Sequence, residues 1–381
     1  MGVGLTDEYV ARIRAVAHDH LLSIPPVHGA INRPLVAALG EHGLLRGLFG
    51  GEPDEPARDA AALQLCLLRE TLATITTEAE TALALQGLGS YPILQSGSPE
   101  LVERWIPEVV AGTAVAAFAL SEPGAGSDAA ALSLAATPDS DGSWRLHGEK
   151  TWISNAPEAD VYSVFARTGP DGSRGVTAFV VSGDAEGLSG EALDMLAPHA
   201  IGRLDFDGVR VTEADVLGEV GGGFAVAMRT LDLFRPSVGA FAVGMAQAAL
   251  DAALDWALTR EVYGDVLIRQ QSVEHTLAEM ATRIEAARLL VRAAASTYDD
   301  GGPAAQITQS AAMAKLFATE TAQWVVDQAV QMHGARGLQQ GHLLERLYRE
   351  VRAPRIYEGA SEVQRTIIGR SLVRARQEGQ Q

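Results

Sequence analysis

The sequence predicts an α+β fold in which a small β domain is held between two helical ones. Three observations carry this. Residues 1–113 hold apolar residues at helical spacing, residues 114–220 turn to short β-branched and aromatic runs, and from Gly221 to residue 381 the helical period returns and stays.

The N-terminal helices are read from spacing and punctuation. Thr6 can cap a helix carrying Tyr9, Ile13, Val16 and Ala17, and Pro25-Pro26 stops it. Leu35, Leu39 and Leu44-Leu45 form a second apolar face that Gly50-Gly51 closes. Helices are expected from about Ala57 to Ile75 and around Ala82 to Leu88. Ser98-Pro99-Glu100 is a start signal, with proline in the first turn, for a helix over Leu101–Val110.

In the middle segment, Val161–Ala166 and Val176–Val181 read as strands. Asp141-Gly142 and Asp171-Gly172 are hairpin-type turns, and Arg203–Val211 alternates like a half-buried strand. In the C-terminal segment, Val273, Leu277, Met280, Ile284, Ala287 and Val291 make one stripe of a bundle helix. Further helices are expected over Ala304–Met332, Leu343–Val351 and Ser361–Arg374, the last opened by a Ser361–Gln364 capping box.

Composition narrows the function classes. With 47% hydrophobic and 20% charged residues, the 381-residue chain suits a globular protein rather than a disordered one. A net charge of −18 argues against a nucleic-acid binder. The single cysteine, Cys66, permits no intramolecular disulfide and makes a cysteine-based metal site unexpected; no metal ligand set is assigned. Without a basic and apolar leader or a run of 18 apolar residues, no signal peptide or membrane span is expected and the cytoplasm is the default.

Five stretches carry chemistry. Phe118-Ala-Leu-Ser-Glu-Pro-Gly-Ala-Gly-Ser-Asp128 is a strand ending in a glycine-containing turn whose N–H groups and hydroxyls suit a polar ligand edge, though any tight turn could use the same residues. It is neither a Walker loop nor a dinucleotide fingerprint. Gly148–Asn155 places Trp152 among hydroxyl residues, where it could stack on a planar ring with Ser154 as donor or simply fill a core. Arg260 and Tyr263, three apart, are expected on one helix face, and Gln271 follows. Gln331-Met-His-Gly-Ala-Arg-Gly337 is a helix end running into a turn. Arg355–Arg365 puts Glu358 in a short connection before the last helix, beside Tyr357 and Gly359; an isolated glutamate there would be a surface acid.

In this order and spacing, the stretches resemble the acyl-CoA dehydrogenase family, flavoproteins that oxidise acyl thioesters. The resemblance implies an N-terminal helical domain, a middle β domain and a C-terminal bundle. It implies FAD between the β domain and the bundle, reaching a neighbouring subunit, and hence a homo-oligomer, dimer or tetramer. By matching motifs, Phe118, Leu120, Ser121, Gly126 and Ser127 would line the flavin, Ser127 also touching the substrate arm. Trp152 and Ser154 would flank the isoalloxazine ring, Arg260, Tyr263 and Gln271 would reach a partner's FAD, and Gln331, Gly334 and Ala335 its adenosine end. Glu358 falls on the catalytic base, which removes an α-proton while the β-hydride passes to the flavin. Some members place the base on a bundle helix, at the position Phe234 occupies here, and phenylalanine cannot serve. Asp232, Phe234, Arg235, Tyr357 and Gly359 match substrate-side positions; Asp232 and Arg235 could equally be a helix-surface ion pair, and Phe234 suggests a short or narrow acyl chamber.

The substrate would be an acyl-CoA or acyl-carrier-protein thioester, and an electron-transfer flavoprotein the electron acceptor. A flavin oxidase on the same fold and a non-catalytic flavin-binding scaffold are the alternatives; Glu358 weighs against the scaffold, and against a monooxygenase that would lack the base. Departures from the family pattern fall at residues 49–56, 196–202, Gly334–Gly337 and Ala360.

Overall fold

The computed structural model describes residues 3–49 and 61–378. Helices come first: α1 (Val3–Val16), α2 (Arg33–Glu41), α3 (Ala62–Ile75), α4 (Thr77–Ser96) and α5 (Pro99–Ala111). Strands follow: β1 (Ala116–Ala119), β2 (Ala135–Pro138), β3 (Trp144–Ser154), β4 (Val161–Arg167), β5 (Val176–Ser182), β6 (Leu188–Ala192), β7 (Ile201–Val211) and β8 (Val216–Leu217). The rest is α6 (Gly223–Thr259), the short strands β9 (Glu261–Val262) and β10 (Asp265–Val266), then α7 (Gln271–Asp299), α8 (Ala304–His333), α9 (Leu343–Glu350) and α10 (Ser361–Glu378). The expected order of helices, sheet and helices is the observed one.

The chain forms two compact units. The first contains Ala15–Ala61 and Glu78–Leu231. Its sheet runs β6-β7-β3-β2-β4-β5-β8, with β1 pairing β4 in parallel. Strand β4 is buried at all but its last residue, so it reads as a continuous apolar run. Helix α4 meets β1 closely: Gln86 bonds Ala114 O and Ala116 N, and a Cβ on Gly89 would sit 2.5 Å from Ala117 N. Helix α5 is capped by Ser98, which accepts from Leu101 N, and ends at Gly112 in the left-handed region.

The second unit contains Met1–Arg14, Ala62–Thr77 and Asp232–Gln381. Helices α7 and α8 pack together, with α3 on α7 and α9 and α10 on α8. The α7 stripe buries Leu277, Met280, Ile284, Ala287 and Val291, as the spacing predicts. Helix α6 is long and apolar enough to cross a membrane, but its most apolar 18-residue window is 72% buried, as a bundle-core helix requires. Gly244 on α6 lies against α3, where a Cβ would press on the Glu70 carbonyl and come within 2.6 Å of Ala73 Cβ. Gly244→Ala should therefore destabilise the protein by about 1–3 kcal/mol; a calorimetric Tm equal to the wild type's would show that α3 can yield.

Three local expectations are corrected. Thr6 does not open α1, which already starts at Val3. Helix α4 is far longer than Ala82–Leu88, because its glutamates near the start and an interior Pro92 do not interrupt it. Arg260 and Tyr263 do not share a helix face: α6 ends at Thr259, and Tyr263-Gly264 form the loop of the β9–β10 hairpin. Both loop residues have positive φ, 52° and 85°, the pattern of a two-residue primed turn that glycine permits. The start of the expected Ala57–Ile75 helix, Gly50-Gly51 and most of residues 49–56 lie outside the described residues.

Candidate active site

Glu358 sits in the connection between α9 and α10, at φ 51°, followed by Gly359 at φ 93°. Left-handed backbone at a glutamate is strained and has to be held by its surroundings. Three side chains hold it. Arg235 Nε donates to the Glu358 carbonyl at 3.3 Å, Lys315 Nζ to the Gly359 carbonyl at 2.6 Å, and Gln364 Nε2 to both, at 3.2 and 2.9 Å. Gly359 is favoured by its φ, and a Cβ there would lie 2.5 Å from Gln364 Nε2 and displace the tip of that side chain.

The expected Ser361–Gln364 capping box is not what fixes this turn. Ser361 is the first residue of α10 and its hydroxyl donates to Glu320 at 2.6 Å. Gln364 reaches back past it to the two carbonyls. The turn is aimed, but by a buried amide and two buried cations.

The Glu358 side chain is no surface acid. Its Oε2 is sealed from solvent without a hydrogen-bond partner among the described residues, although the residue as a whole keeps partial exposure. Burial pushes the carboxyl above the ordinary glutamate range, while Arg69, Lys315 and Arg235 oppose the shift. The Glu358 N–H finds no acceptor among the described residues. Asp232 and Arg235 do pair, at 3.1 Å, but the pair is largely buried rather than on a helix surface, and Thr308 holds the other Asp232 oxygen at 2.7 Å. Burial raises the proton affinity of Asp232, against its bonds to Thr308 and Arg235. Phe234 is buried, and Tyr357 is partly exposed.

In the sheet-bearing unit, β1 delivers the Phe118–Asp128 turn. Phe118 and Ser121 are partly exposed, Leu120 is buried, and Gly126 and Ser127 are exposed. A bulge in β3 disturbs its register with β7 between Lys150 and Ile153. There Trp152 takes φ 56° and stays 52% exposed, so it is not a core residue. An indole presented at a bulge in strained backbone suits stacking on a flat ligand. Ser154, two residues on, is partly exposed, and Asn155 ties the end of the motif to Ala116 O at 2.8 Å.

In the bundle-bearing unit, a separate surface gathers Arg260, Arg336 and His333 around Trp256. The two guanidinium carbons lie 5.7 and 5.0 Å from its ring, and His333 stacks on it at 5.2 Å. Trp256 Nε1 donates to Met332 O. Gln331, Gly334, Ala335 and Gln271 are exposed, and Tyr263 is 95% exposed at its hairpin tip. Two exposed guanidiniums that form no ion pair among the described residues, beside the exposed Tyr263, suit a phosphate and a ring.

Residues 7–113, 117–209 and 221–373 match the acyl-CoA dehydrogenase N-terminal, middle and C-terminal domains respectively. The chain belongs to the acyl-CoA dehydrogenase family. Family members are flavoproteins, and the activity class is that of an acyl-CoA-oxidising oxidoreductase. The chain is 35% identical to a cyclohexane-1-carbonyl-CoA dehydrogenase of Geobacter metallireducens, over 91% of this chain and 90% of that one. It is 42% identical to the mitochondrial short-chain specific acyl-CoA dehydrogenase of Rattus norvegicus, over 74% and 69% of the respective chains. The solved butyryl-CoA dehydrogenase of Megasphaera elsdenii superposes with a TM-score of 0.89 at 33% identity, covering 98% and 99%.

Several residues that shape this family member's candidate site carry no role in the sequence reading. Lys150 and Glu122 form a buried ion pair at 2.8 Å; Lys150 also donates to Leu120 O, and Glu122 accepts from Ser133 and Leu134 N–H. The pair therefore pins the Phe118–Asp128 turn to β3. Arg69, a buried cation on α3, donates to Ser237 at 2.7 Å and adds positive potential at Glu358. For Arg69 the available signal was a charge that follows the apolar run Leu65–Leu68; Glu122 and Lys150 lie among polar neighbours, and only the fold pairs them.

Proposed function

We propose that the chain catalyses FAD-dependent α,β-dehydrogenation of an acyl-CoA thioester, with Glu358 as the base that takes the α-proton. The observation that carries this is Glu358 Oε2: a sealed carboxylate oxygen without a partner among the described residues, on strained backbone held from three sides. A buried carboxylate of raised proton affinity is a stronger base than a solvated one. The unbonded Glu358 N–H can donate to the thioester oxygen, where negative charge grows as the proton leaves. Arg235, Lys315 and Gln364 keep the backbone fixed while this happens, so no reorganisation is needed at the moment of transfer.

Bound FAD would supply the acceptor for the β-hydride, leaving a 2-enoyl thioester. Trp152, Ser154, Phe118, Leu120, Ser121, Gly126 and Ser127 are the residues we assign to holding its ring, and the exposed Trp152 at the β3 bulge supports that assignment. Arg260, Tyr263, Gln271, Gln331, Gly334 and Ala335 are assigned to the FAD of a second copy of this chain in a homo-oligomer; the exposure of Tyr263 supports this. Asp232, Phe234, Arg235, Tyr357 and Gly359, with Ser127, are assigned to the substrate side. An electron-transfer flavoprotein as acceptor and a cytoplasmic location complete the reading.

The test is anaerobic bleaching of the purified flavoprotein by a panel of acyl-CoA and acyl-carrier-protein thioesters. At least one acyl-CoA should bleach it; a colourless protein that FAD cannot reconstitute sinks the reading. Arg260→Ala should lose FAD on gel filtration or dissociate into smaller species. Unchanged FAD content and size would remove Arg260 from the cofactor site.

A further inference from the structure

We infer that Lys315 is a positioning residue for the Glu358 base: its ammonium, sealed in α8, holds the Gly359 carbonyl and so sets the aim of the carboxylate one residue earlier. The inference rests on Glu358 being the base.

Lys315 is 0% exposed, yet no carboxylate lies within ion-pair distance of it among the described residues. Among the described residues its ammonium makes one hydrogen bond, to the main-chain oxygen of Gly359 at 2.6 Å. Taking an ammonium out of water is among the most costly burials a side chain can make, and a carbonyl is a weak partner for it. Gln364 already donates to the same oxygen at 2.9 Å, so satisfying that carbonyl does not by itself call for a lysine. What the lysine adds is charge at a fixed place.

That charge meets a particular arrangement. Three cations on three helices act on Glu358: Arg69 from α3, Arg235 from α6 and Lys315 from α8. Arg69 is directed to Ser237, and Arg235 to Asp232 and the Glu358 carbonyl. Burial pulls the Lys315 ammonium down to about 8, while Glu358, Glu320 and Glu362 favour its charged form and Arg235 opposes it. Together Lys315 and Arg235 grip two consecutive carbonyls of a turn that is left-handed at both residues. Removing one grip lets φ of Glu358 relax, because nothing local favours its strained value. Removing the charge also removes one of the three cations that hold the carboxylate's proton affinity down, so the midpoint for forming the active base moves to higher pH.

The experiment compares single-turnover flavin reduction in FAD-loaded wild type, Lys315→Met, Lys315→Gln and Glu358→Gln across pH, using an acyl-CoA that bleaches the wild type. Lys315→Met, which loses donor and charge, should keep its flavin and slow by about 10–100-fold, with its pH midpoint raised. Lys315→Gln, which keeps a donor but not the charge, should show the raised midpoint with a smaller loss at high pH. A purely structural lysine would lower Tm without moving the midpoint in either variant. An unmoved midpoint in a folded Lys315 variant overturns the inference, and so does failure of both Lys315 variants to fold and hold flavin. Glu358→Gln separates the two failures. If it reduces normally, the base assignment itself is wrong; if it is inactive while the Lys315 variants match the wild type, only the role of Lys315 falls.

Discussion

Glu358→Gln should retain its flavin and lose flavin reduction by roughly 10²–10⁴-fold, the span that a positioned general base contributes. Glutamine has the same shape, and the grips of Arg235, Lys315 and Gln364 fall on main-chain carbonyls that the substitution leaves in place. Only the proton acceptor is removed. The same change should raise stability at neutral pH. The folded-state pKa of Glu358 lies above its unfolded value, so the buried carboxylate costs nothing below the unfolded pKa and its full cost appears above the folded one. The Tm difference between variant and wild type should shrink as pH falls toward the ordinary glutamate range. A variant that reduces at the wild-type rate would place the base elsewhere.

Lys150→Met should be the most destabilising single change in the sheet-bearing unit, by about 3–5 kcal/mol, because it leaves the Glu122 charge buried without its cation. Burial pushes the Glu122 carboxyl up, but the Lys150 charge and the hydrogen bonds from Lys150, Leu134 and Ser133 outweigh it and hold the group below the usual range. A depressed pKa gives stability that is present above the unfolded value and lost as pH falls through the folded one, so the wild type should be acid-labile here in a way the variant is not. Burial pulls the Lys150 ammonium down to about 8, so the pair is kept by its fit rather than by cheap solvation. Because Lys150 also holds Leu120 O, the variant should release FAD more readily. Adding Glu122→Gln should restore part of the lost stability, since glutamine keeps an acceptor for a neighbouring N–H. A calorimetric cycle of the four proteins measures the coupling, and additive effects would show that the pair is not a unit.

Regular elements were legible in the sequence wherever apolar spacing alone decides them. The α7 stripe, the start of α5 at Ser98-Pro99 and the turns at Asp141-Gly142 and Asp171-Gly172 follow from local rules. The candidate base was legible through its motif, and its neighbour Gly359 through the turn it makes. What holds the base was not. Arg235 and Gln364 stand out in the sequence as a substrate-side residue and part of a helix cap, but that they and Lys315 grip one turn from separate helices, with the charge of Arg69 acting on Glu358, comes only with the tertiary fold. Tyr263 was misread for a related reason: three-residue spacing suggests a helix face, but Gly264 gives the chain a cheaper hairpin turn. Trp152 was ambiguous because a strand tryptophan can fill a core, and the bulge that turns it outward shows only in the pairing of β3 with β7.

The central claim is that Glu358, with its proton affinity raised by burial, is the base. It is tested most directly by the pH dependence of single-turnover flavin reduction with an acyl-CoA that bleaches the protein. The predicted result is a rate that rises with pH through one ionisation above the ordinary glutamate range and an ionisation that is missing from Glu358→Gln. A wild-type rate that does not change with pH, or the same midpoint in both proteins, would contradict it.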